Sequence, residues 1–152
     1  MNYAYFDTSA LIKRYVNEPG RREVLGLLRR NRCVVSAVLP LEVRSALRRR
    51  VGEKTLDPKR VPDILKRFAA DRAYWTIMEV SRDVLATAES LSGTHPLRAL
   101  DAIHVASAKL FGDRTGLATF TFVSADTQQT NVAGALGIDT RYVGSQKAPG
   151  RA

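Results

Sequence analysis

Four acidic residues stand where β-like runs give way to helical patterns. Asp7 and Asp126 follow short apolar runs, Glu42 lies early in the helical pattern after the second run, and Asp101 opens the pattern "DAIHVA". In an open parallel sheet, the carboxyl ends of the strands form the crevice in which ligands bind. We therefore expect the four carboxylates to converge at one edge of a sheet.

Convergence of four acids in a chain with a formal charge of +9 needs a physical reason. Like charges at close range raise each other's pKa unless a cation neutralises them. Oxygen ligands without His or Cys at suitable spacing favour Mg²⁺ or Mn²⁺ over zinc. Such an ion can orient a water, lower its pKa and stabilise the charge that develops on a phosphodiester. The pattern therefore favours metal-dependent cleavage of nucleic acid.

Each acid also has an ordinary structural interpretation. Asp7 and Asp126 each precede a helical pattern and can serve as its N-cap. Glu42 can be a solvated residue or an ion-pair partner of Arg44 or Arg48. Taken singly, these three acids do not decide between a structural and a catalytic role.

Asp101 is the most informative of the four acids. It lies in "LRALDAIHVASA", an apolar stretch in which a buried charge is costly without a partner or a metal ion. His104 lies three residues further on, on the same side of the helical pattern. We interpret it as a residue that packs or supports a ligand, rather than as a ligand itself.

Short β-like runs alternate with longer helical patterns, as in parallel sheets whose strands are joined by crossover helices. Thr8 or Ser9 is expected to cap the first helix, Ser36 the helix after the second strand, and Pro40 to lie in that helix's first turn. A breaker run, 92–96, separates two later helices. The predicted strands are 3–6, 33–35, 74–80, 121–124 and 138–143. One predicted helix starts near Thr8, and the others cover 21–31, 36–51, 58–71, 82–91, 98–111 and 127–136.

The composition favours one soluble domain with a polyanionic partner. The 152 residues are 45% apolar and 26% charged, which is near the average for globular chains and enough for one core. Lys plus Arg number 24 against 15 acids, and this balance favours nucleic acid or an acidic protein as the partner. The arginine-rich runs 29–32 and 48–50, taken alone, are typical of solvated helix faces.

The chain shows no sign of export or membrane insertion. Its single cysteine, Cys33, cannot form an internal disulfide, which fits a reducing cytosol, and we expect it in the core. The first residues lack the basic and apolar regions of a signal peptide. No apolar stretch approaches the roughly 20 residues that span a bilayer. We expect a cytoplasmic protein with no membrane partner.

Four segments of the sequence resemble the PIN domain, in particular VapC-type toxins, over about residues 3–143. These segments are "YFDTSALIKRYVNE", "VVSAVLPLEVRSAL", "LRALDAIHVASA" and "FVSADTQQTNVAGALG". The resemblance implies an α/β fold, a three-layer α/β/α sandwich with a central, mostly parallel sheet. It also implies a single domain at 1–143, to which we add a flexible tail at 144–152.

The resemblance implies a function as well as a fold. It implies a Mg²⁺-dependent endoribonuclease, with Mn²⁺ as a possible substitute, that leaves a 5′-phosphate and a 3′-hydroxyl on RNA. Its catalytic and metal-binding residues would be Asp7, Glu42, Asp101 and Asp126, with Ser9 as a polar helper beside Asp7. The implied partners are RNA, a VapB-type antitoxin, and a second copy of the chain in a homodimer or a toxin–antitoxin hetero-oligomer.

Two departures from the family pattern bear on details. Many relatives carry another acid or Asn just after the fourth Asp, whereas Thr127 to Thr130 contain none here, so a second metal ion would be poorly held. The helix 127–136 also lacks the basic residues that relatives often place there. RNA contacts are then expected from other residues, and the candidates are Lys13, Arg14, Arg44, Arg48 and Arg98.

Two other functions compete with this interpretation. Haloacid-dehalogenase-like phosphatases also place Asp at a strand end, but they need a second Asp two positions later, where this chain has Ser9. A non-catalytic RNA- or protein-binding module of the same fold would use the acids only as caps. Metal-dependent cleavage distinguishes the nuclease from such a module.

Overall fold

Strands and helices alternate along residues 2–117 and 119–145, which are the residues that the computed structural model describes. The strands are β1 (Asn2–Phe6), β2 (Asn31–Ser36), β3 (Thr76–Met78), β4 (Thr121–Ser124) and β5 (Asp139–Tyr142). The α-helices are α1 (Thr8–Leu11), α2 (Arg21–Arg30), α3 (Leu39–Gly52), α4 (Val61–Asp71), α5 (Arg82–Thr94), α6 (Ala99–Thr115) and α7 (Thr127–Ala135). Short 3-10 turns cover Ile12–Arg14, Pro58–Arg60 and Arg72–Tyr74.

The five strands form one parallel sheet in the order β3-β2-β1-β4-β5. The chain first adds β2 and β3 on one side of β1, and later adds β4 and β5 on the other side. The strand order therefore reverses beside β1, and the crevice of such a sheet lies at the carboxyl ends of the two strands that meet there. Those strands are β1 and β4.

Helices cover both faces of the sheet. Because side chains alternate across a strand, Ala4 and Phe6 of β1 pack with the helices α1–α4, whereas Tyr5 packs with α5–α7. Tyr5 stacks on Phe122 of β4 with ring centroids 5.5 Å apart. Cys33 lies in the first of these two cores, as expected. The predicted three-layer α/β/α sandwich is confirmed.

Several helix boundaries differ from the predicted ones. Asp7 caps α1, so the interpretation of Asp7 as an N-cap is confirmed and the prediction of Thr8 or Ser9 as the cap is wrong. Ser36 ends β2 and accepts a hydrogen bond from the Val38 N–H at 3.2 Å, and α3 starts only at Leu39, with Pro40 in its first turn as expected. The helix α5 continues through most of the predicted breaker run to Thr94. Gly93 lies within it, because one glycine weakens a helix without ending it.

The remaining organisation follows the sequence in outline. The predicted domain, 1–143, contains the sheet and both helical layers, and its limits stay a prediction. The predicted flexible tail, 144–152, falls mainly on 146–152, which lie outside the described residues. None of the helices in 2–117 and 119–145 has both the length and the apolar character that a membrane span requires.

Candidate active site

The four predicted acids lie on the elements that border the crevice. Asp7 follows β1 directly, and its N–H donates to the Val123 carbonyl of β4 at 3.2 Å. Asp126 comes two residues after β4 and caps α7. Asp101 and Glu42 lie in the first turns of α6 and α3. The two aspartates at strand ends are thus placed by the sheet, and the other two acids are placed by helices.

Asp7 is only 1% exposed, and hydrogen bonds hold both of its oxygens. The Ser9 hydroxyl lies 2.8 Å from each carboxylate oxygen, the Ala10 N–H donates to Oδ1 at 3.0 Å, and the Ser124 hydroxyl donates to Oδ2 at 2.7 Å. Burial raises the pKa of Asp7, although His104 and these donors work in the opposite direction. The carboxylate is therefore fixed in place at a cost to the folded state.

Two serines join the ends of β1 and β4 beneath Asp7. Ser9 accepts a hydrogen bond from the Ala125 N–H at 2.9 Å, and Ser124 accepts one from the Asp126 N–H at 2.9 Å. Ser9 was predicted as a polar helper, and the structure places it beside Asp7. Ser124 was not predicted, although its position at a strand end, two residues before an acid, is a usable signal.

Replacing Asp7 by Asn should stabilise the metal-free protein at neutral pH. The folded state raises this pKa above its ordinary value of 3.8, so it binds the proton more tightly than the unfolded chain does. The charged carboxylate then lowers the free energy of unfolding once the pH rises above 3.8. Asn removes that cost while keeping the shape and an acceptor for Ala10. Each 1 kcal/mol gained raises Tm by about 2–4 °C.

Thermal unfolding in EDTA at neutral pH and near the ordinary pKa tests this effect of Asp7→Asn. The increase in Tm should shrink as the pH falls, because both states then carry the proton. Asp113→Asn is the control, since Asp113 is exposed and, among the residues that the structure describes, pairs only with Lys109. A lower Tm for Asp7→Asn at neutral pH, or an increase in Tm that does not change with pH, contradicts the expectation.

Glu42 is held by a chain of buried polar groups rather than by Arg44 or Arg48. Its Oε1 accepts hydrogen bonds from Thr8 at 2.8 Å and from His104 Nε2 at 2.5 Å. His104 is 1% exposed, and its Nδ1 lies 2.9 Å from the hydroxyl of the fully buried Tyr5. Since a carboxylate can only accept, Nε2 carries a proton and donates it to Glu42.

These contacts decide the charge state of Glu42. Burial works to raise its pKa, but the hydrogen bond and the charge of His104, together with Thr8, lower it below its ordinary value. Glu42 is therefore a carboxylate at neutral pH. His104 supports this acid, in agreement with the interpretation of His104 as a supporting residue.

Gln129 and Asp126 hold the other edge of the site. The Gln129 side-chain amide donates to Asp101 Oδ1 at 2.9 Å, and the Gln128 and Gln129 N–H groups donate to Asp126 Oδ1 at 2.8 and 3.3 Å. Burial raises the pKa of Asp101, and the negative charges of Asp126 and Glu42 raise it further. Asp101, Asp126 and Glu42 are thus close enough to interact electrostatically. Gln129 was not predicted, because an amide within a helical pattern gives no chemical signal.

The acids of the site lack ion pairs with Lys or Arg in the described part of the chain, although the charge of Arg98 acts on Asp101. Within 2–117 and 119–145, none of the four acids pairs with Lys or Arg, and Glu42 pairs only with His104. By contrast, Glu18 and Asp71, at other places in the fold, pair with basic side chains. In a protein of charge +9, this leaves an acidic centre that attracts a cation.

The donor set fits a hard divalent cation in chemistry, but it is not assembled as a closed metal cluster. Among the described residues, no group of three or more His, Cys, Asp or Glu side chains is arranged to hold a metal ion. Asp101, Asp126 and Glu42 each bond through one oxygen, and their other oxygens accept no hydrogen bond within the described part of the chain. Open carboxylate oxygens of this kind suit Mg²⁺ or Mn²⁺.

A parallel α/β/α sandwich with acids at the switch in strand order defines a class of proteins that bind ligands at the carboxyl edge of the sheet. The model of the PIN domain family matches residues 4–135, and the chain belongs to this family. No curated protein is similar enough in sequence to be matched.

Solved structures of similar fold include complexes of two proteins. A toxin–antitoxin complex from Klebsiella pneumoniae is 22% identical, covering 83% of this chain and 88% of that one, with a TM-score of 0.59. FitAcB from Neisseria gonorrhoeae is 17% identical over 90% and 95% of the two chains, with a TM-score of 0.63. VapBC2 from Rickettsia felis, bound to a DNA fragment from its promoter, is 12% identical over 92% and 98%, with a TM-score of 0.59. At these identities the likeness establishes the fold.

Proposed function

We propose that the protein is a metal-dependent endoribonuclease and the toxin of a toxin–antitoxin pair. The observation that carries this proposal is the placement of four acids, none of them in an ion pair with Lys or Arg among the described residues, at the carboxyl edge of a PIN domain. PIN domains are generally nucleases. The charge of +9 favours a polyanionic substrate, which in this proposal is RNA.

The four acids would hold Mg²⁺, or Mn²⁺ in its place. Asp101, Asp126 and Glu42 would contribute their open oxygens, and Asp7 would share an oxygen that already accepts hydrogen bonds. A bound ion of this kind lowers the pKa of a water and stabilises charge on a phosphodiester.

Side chains around the acids keep the carboxylate oxygens in place before any ion binds. Ser9 and Ser124 orient Asp7, His104 orients Glu42, and Gln129 orients Asp101. Carboxylates that are already oriented need less reorganisation when they bind a metal ion. We propose hydrolysis that leaves a 5′-phosphate and a 3′-hydroxyl, so the RNA 2′-hydroxyl is not the nucleophile.

An antitoxin protein of VapB type is the proposed partner. The support is indirect: the similar structures are named as a toxin–antitoxin complex and as VapBC2. Assembly as a homodimer or as a hetero-oligomer with the antitoxin belongs to the same proposal. A cytoplasmic location fits these partners and stays a prediction.

Cleavage of total cellular RNA by the purified protein, with Mg²⁺ or Mn²⁺ and with EDTA, tests the proposal. We expect discrete fragments with either metal ion and none with EDTA, and ligation that depends on a 5′-phosphate should capture the new ends. Protein shown to be free of antitoxin that leaves RNA intact contradicts the nuclease. That result would favour the binding module of the same fold.

A further inference from the structure

Two cavities meet on the solvent side of α2, away from the acids. One has a volume of about 400 Å³, and its lining includes Arg29, Arg32, Tyr74 and Trp75. The other has a volume of about 500 Å³, and its lining includes Arg21, Arg22 and Arg29. Arg29 belongs to both cavities, so they form one continuous surface, which we call the α2 track.

The α2 track leads from the acidic edge of the sheet to the opposite edge. Gly20, the N-cap of α2, lies so close to the Val143 carbonyl that a side chain there would collide with it. The Val143 N–H donates to the carbonyl of Ser124, whose hydroxyl bonds to Asp7. The helix ends where β2 begins, at Asn31. At 1.5 Å per residue, α2 covers about 15 Å between these edges.

Both acids that line the α2 track are neutralised by contacts within the protein. Arg14 binds Asp71 at 2.7 and 3.2 Å, and the Tyr15 hydroxyl donates to the same carboxylate at 2.6 Å. Glu18 pairs with Arg50, and with Lys13 at 3.5 Å. Burial works to raise the pKa of each carboxyl, but these partners lower it below its ordinary value. Lys13 and Arg14, two predicted RNA contacts, are therefore engaged in the fold.

Three arginines of the α2 track are left for an external anion. Arg21, Arg22 and Arg29 make no side-chain hydrogen bond or ion pair with any residue of 2–117 or 119–145. Arg32 is held beside the surface, since its guanidinium lies 5.8 Å from the centre of the Tyr3 ring. The guanidinium groups of Arg21, Arg22 and Arg29 suit the phosphates of a nucleic acid chain.

Tyr74 adds an aromatic face at the far end of the α2 track. It is 89% exposed, so packing within the fold does not explain a large aromatic ring at this position. Its neighbour Trp75 is held edge-on against Phe68, with ring centroids 5.6 Å apart. Exposed aromatic rings beside arginines bind single-stranded nucleic acid, because unpaired bases stack on the rings while the arginines follow the backbone.

We propose that the α2 track binds a single-stranded segment of RNA, with its phosphates along Arg21, Arg22 and Arg29 and one unpaired base stacked on Tyr74. This inference rests on the proposed function for the identity of the nucleic acid as RNA. Such a segment lies outside the cleavage site, and it would give the enzyme affinity for RNA that does not depend on the metal ion.

Binding of a short fluorescent single-stranded RNA in EDTA, measured by anisotropy, tests the proposal without cleavage. Tyr74→Ala should raise Kd by about 5-fold to 100-fold, the effect of losing one base–aromatic stack, and Tyr74→Phe should restore the affinity because it keeps the ring. Arg29→Gln should lower the slope of log K against log salt by about 0.7. Arg60→Gln is the matched control, because Arg60 lines neither cavity and should leave both quantities unchanged.

The outcomes separate this inference from the proposed function. Unchanged affinity in Tyr74→Ala and an unchanged salt slope in Arg29→Gln overturn the α2 track, even if the protein cuts RNA. Equal or tighter binding of a duplex of the same length also overturns it, since paired bases cannot stack on Tyr74. If the variants weaken binding as expected but the wild type cuts no RNA with metal ions, the proposal of RNA binding at the α2 track is supported and the proposal of a nuclease is contradicted.

Discussion

Replacing Asp101 by Asn is expected to lower the rate of RNA cleavage by about 10²–10³-fold while the protein stays folded. Asn keeps the size of the side chain and an acceptor for the Gln129 amide, but it removes the negative charge and the open carboxylate oxygen. Asp101 also feels the charges of Asp126 and Glu42, so the substitution relieves repulsion in the folded state. Activity and stability should therefore change in opposite directions.

Initial rates of RNA cleavage with Mg²⁺, together with Tm in EDTA, measure both effects of Asp101→Asn. Asp113→Asn provides the control on the same helix, because Asp113 is exposed and far along α6 from the crevice. It should leave the rate of cleavage unchanged. If Asp101→Asn cuts RNA at a rate close to that of the wild type, then Asp101 has no part in the chemistry.

Replacing His104 by Leu is expected to lower the free energy of unfolding by about 2–6 kcal/mol, since each of two groups that lose a partner costs about 1–3 kcal/mol. Two groups lose a partner: the hydroxyl of Tyr5, which is fully buried, and the carboxylate of Glu42. His95→Leu is the matched control, because His95 is the other histidine of the chain and its side chain, within the described residues, bonds only to Thr94, its exposed neighbour.

Denaturant unfolding of the single and double variants isolates the role of the Tyr5 hydroxyl. Adding Tyr5→Phe to His104→Leu should recover part of the lost stability, because the unpaired hydroxyl is removed as well. The two substitutions should therefore be non-additive, as expected for residues in contact. Simple additivity, or a loss in His104→Leu no larger than in His95→Leu, would contradict the hydrogen-bonded chain.

The places of Asp7 and Asp126 beside the crevice were predictable, because the ends of parallel strands meet at one edge of a sheet, whereas Glu42 and Asp101 lie on helices. The layers and the parallel direction of the strands were predictable from the alternation of β-like and helical segments, because crossover helices join parallel strands. The identity of the α1 cap was not predictable, because Asp7, Thr8 and Ser9 are all good capping residues. The Asp7 carboxylate reaches the Ala10 N–H, whereas Ser9 turns back toward Asp7 and Ser124.

Contacts between distant segments set the limit of what the sequence predicts. Tyr5 and His104 are separated by 99 positions, and neither residue shows in its own neighbourhood that they bond. The same holds for Arg14, a predicted RNA contact that instead pairs with Asp71, 57 positions away. Local pattern identifies a basic or acidic residue, but the partner that neutralises it depends on how the helices pack.

The central place of β1 in the sheet has a consequence for synthesis of the protein on the ribosome. Asp7 is made among the first residues, but Ser124, which holds it, follows 117 positions later. Contacts between such distant segments form only after the intervening chain is available. A nascent chain therefore lacks one wall of the crevice until β4 and α7 have emerged. For the proposed nuclease, this delay keeps the growing chain inactive beside the mRNA from which it is being translated.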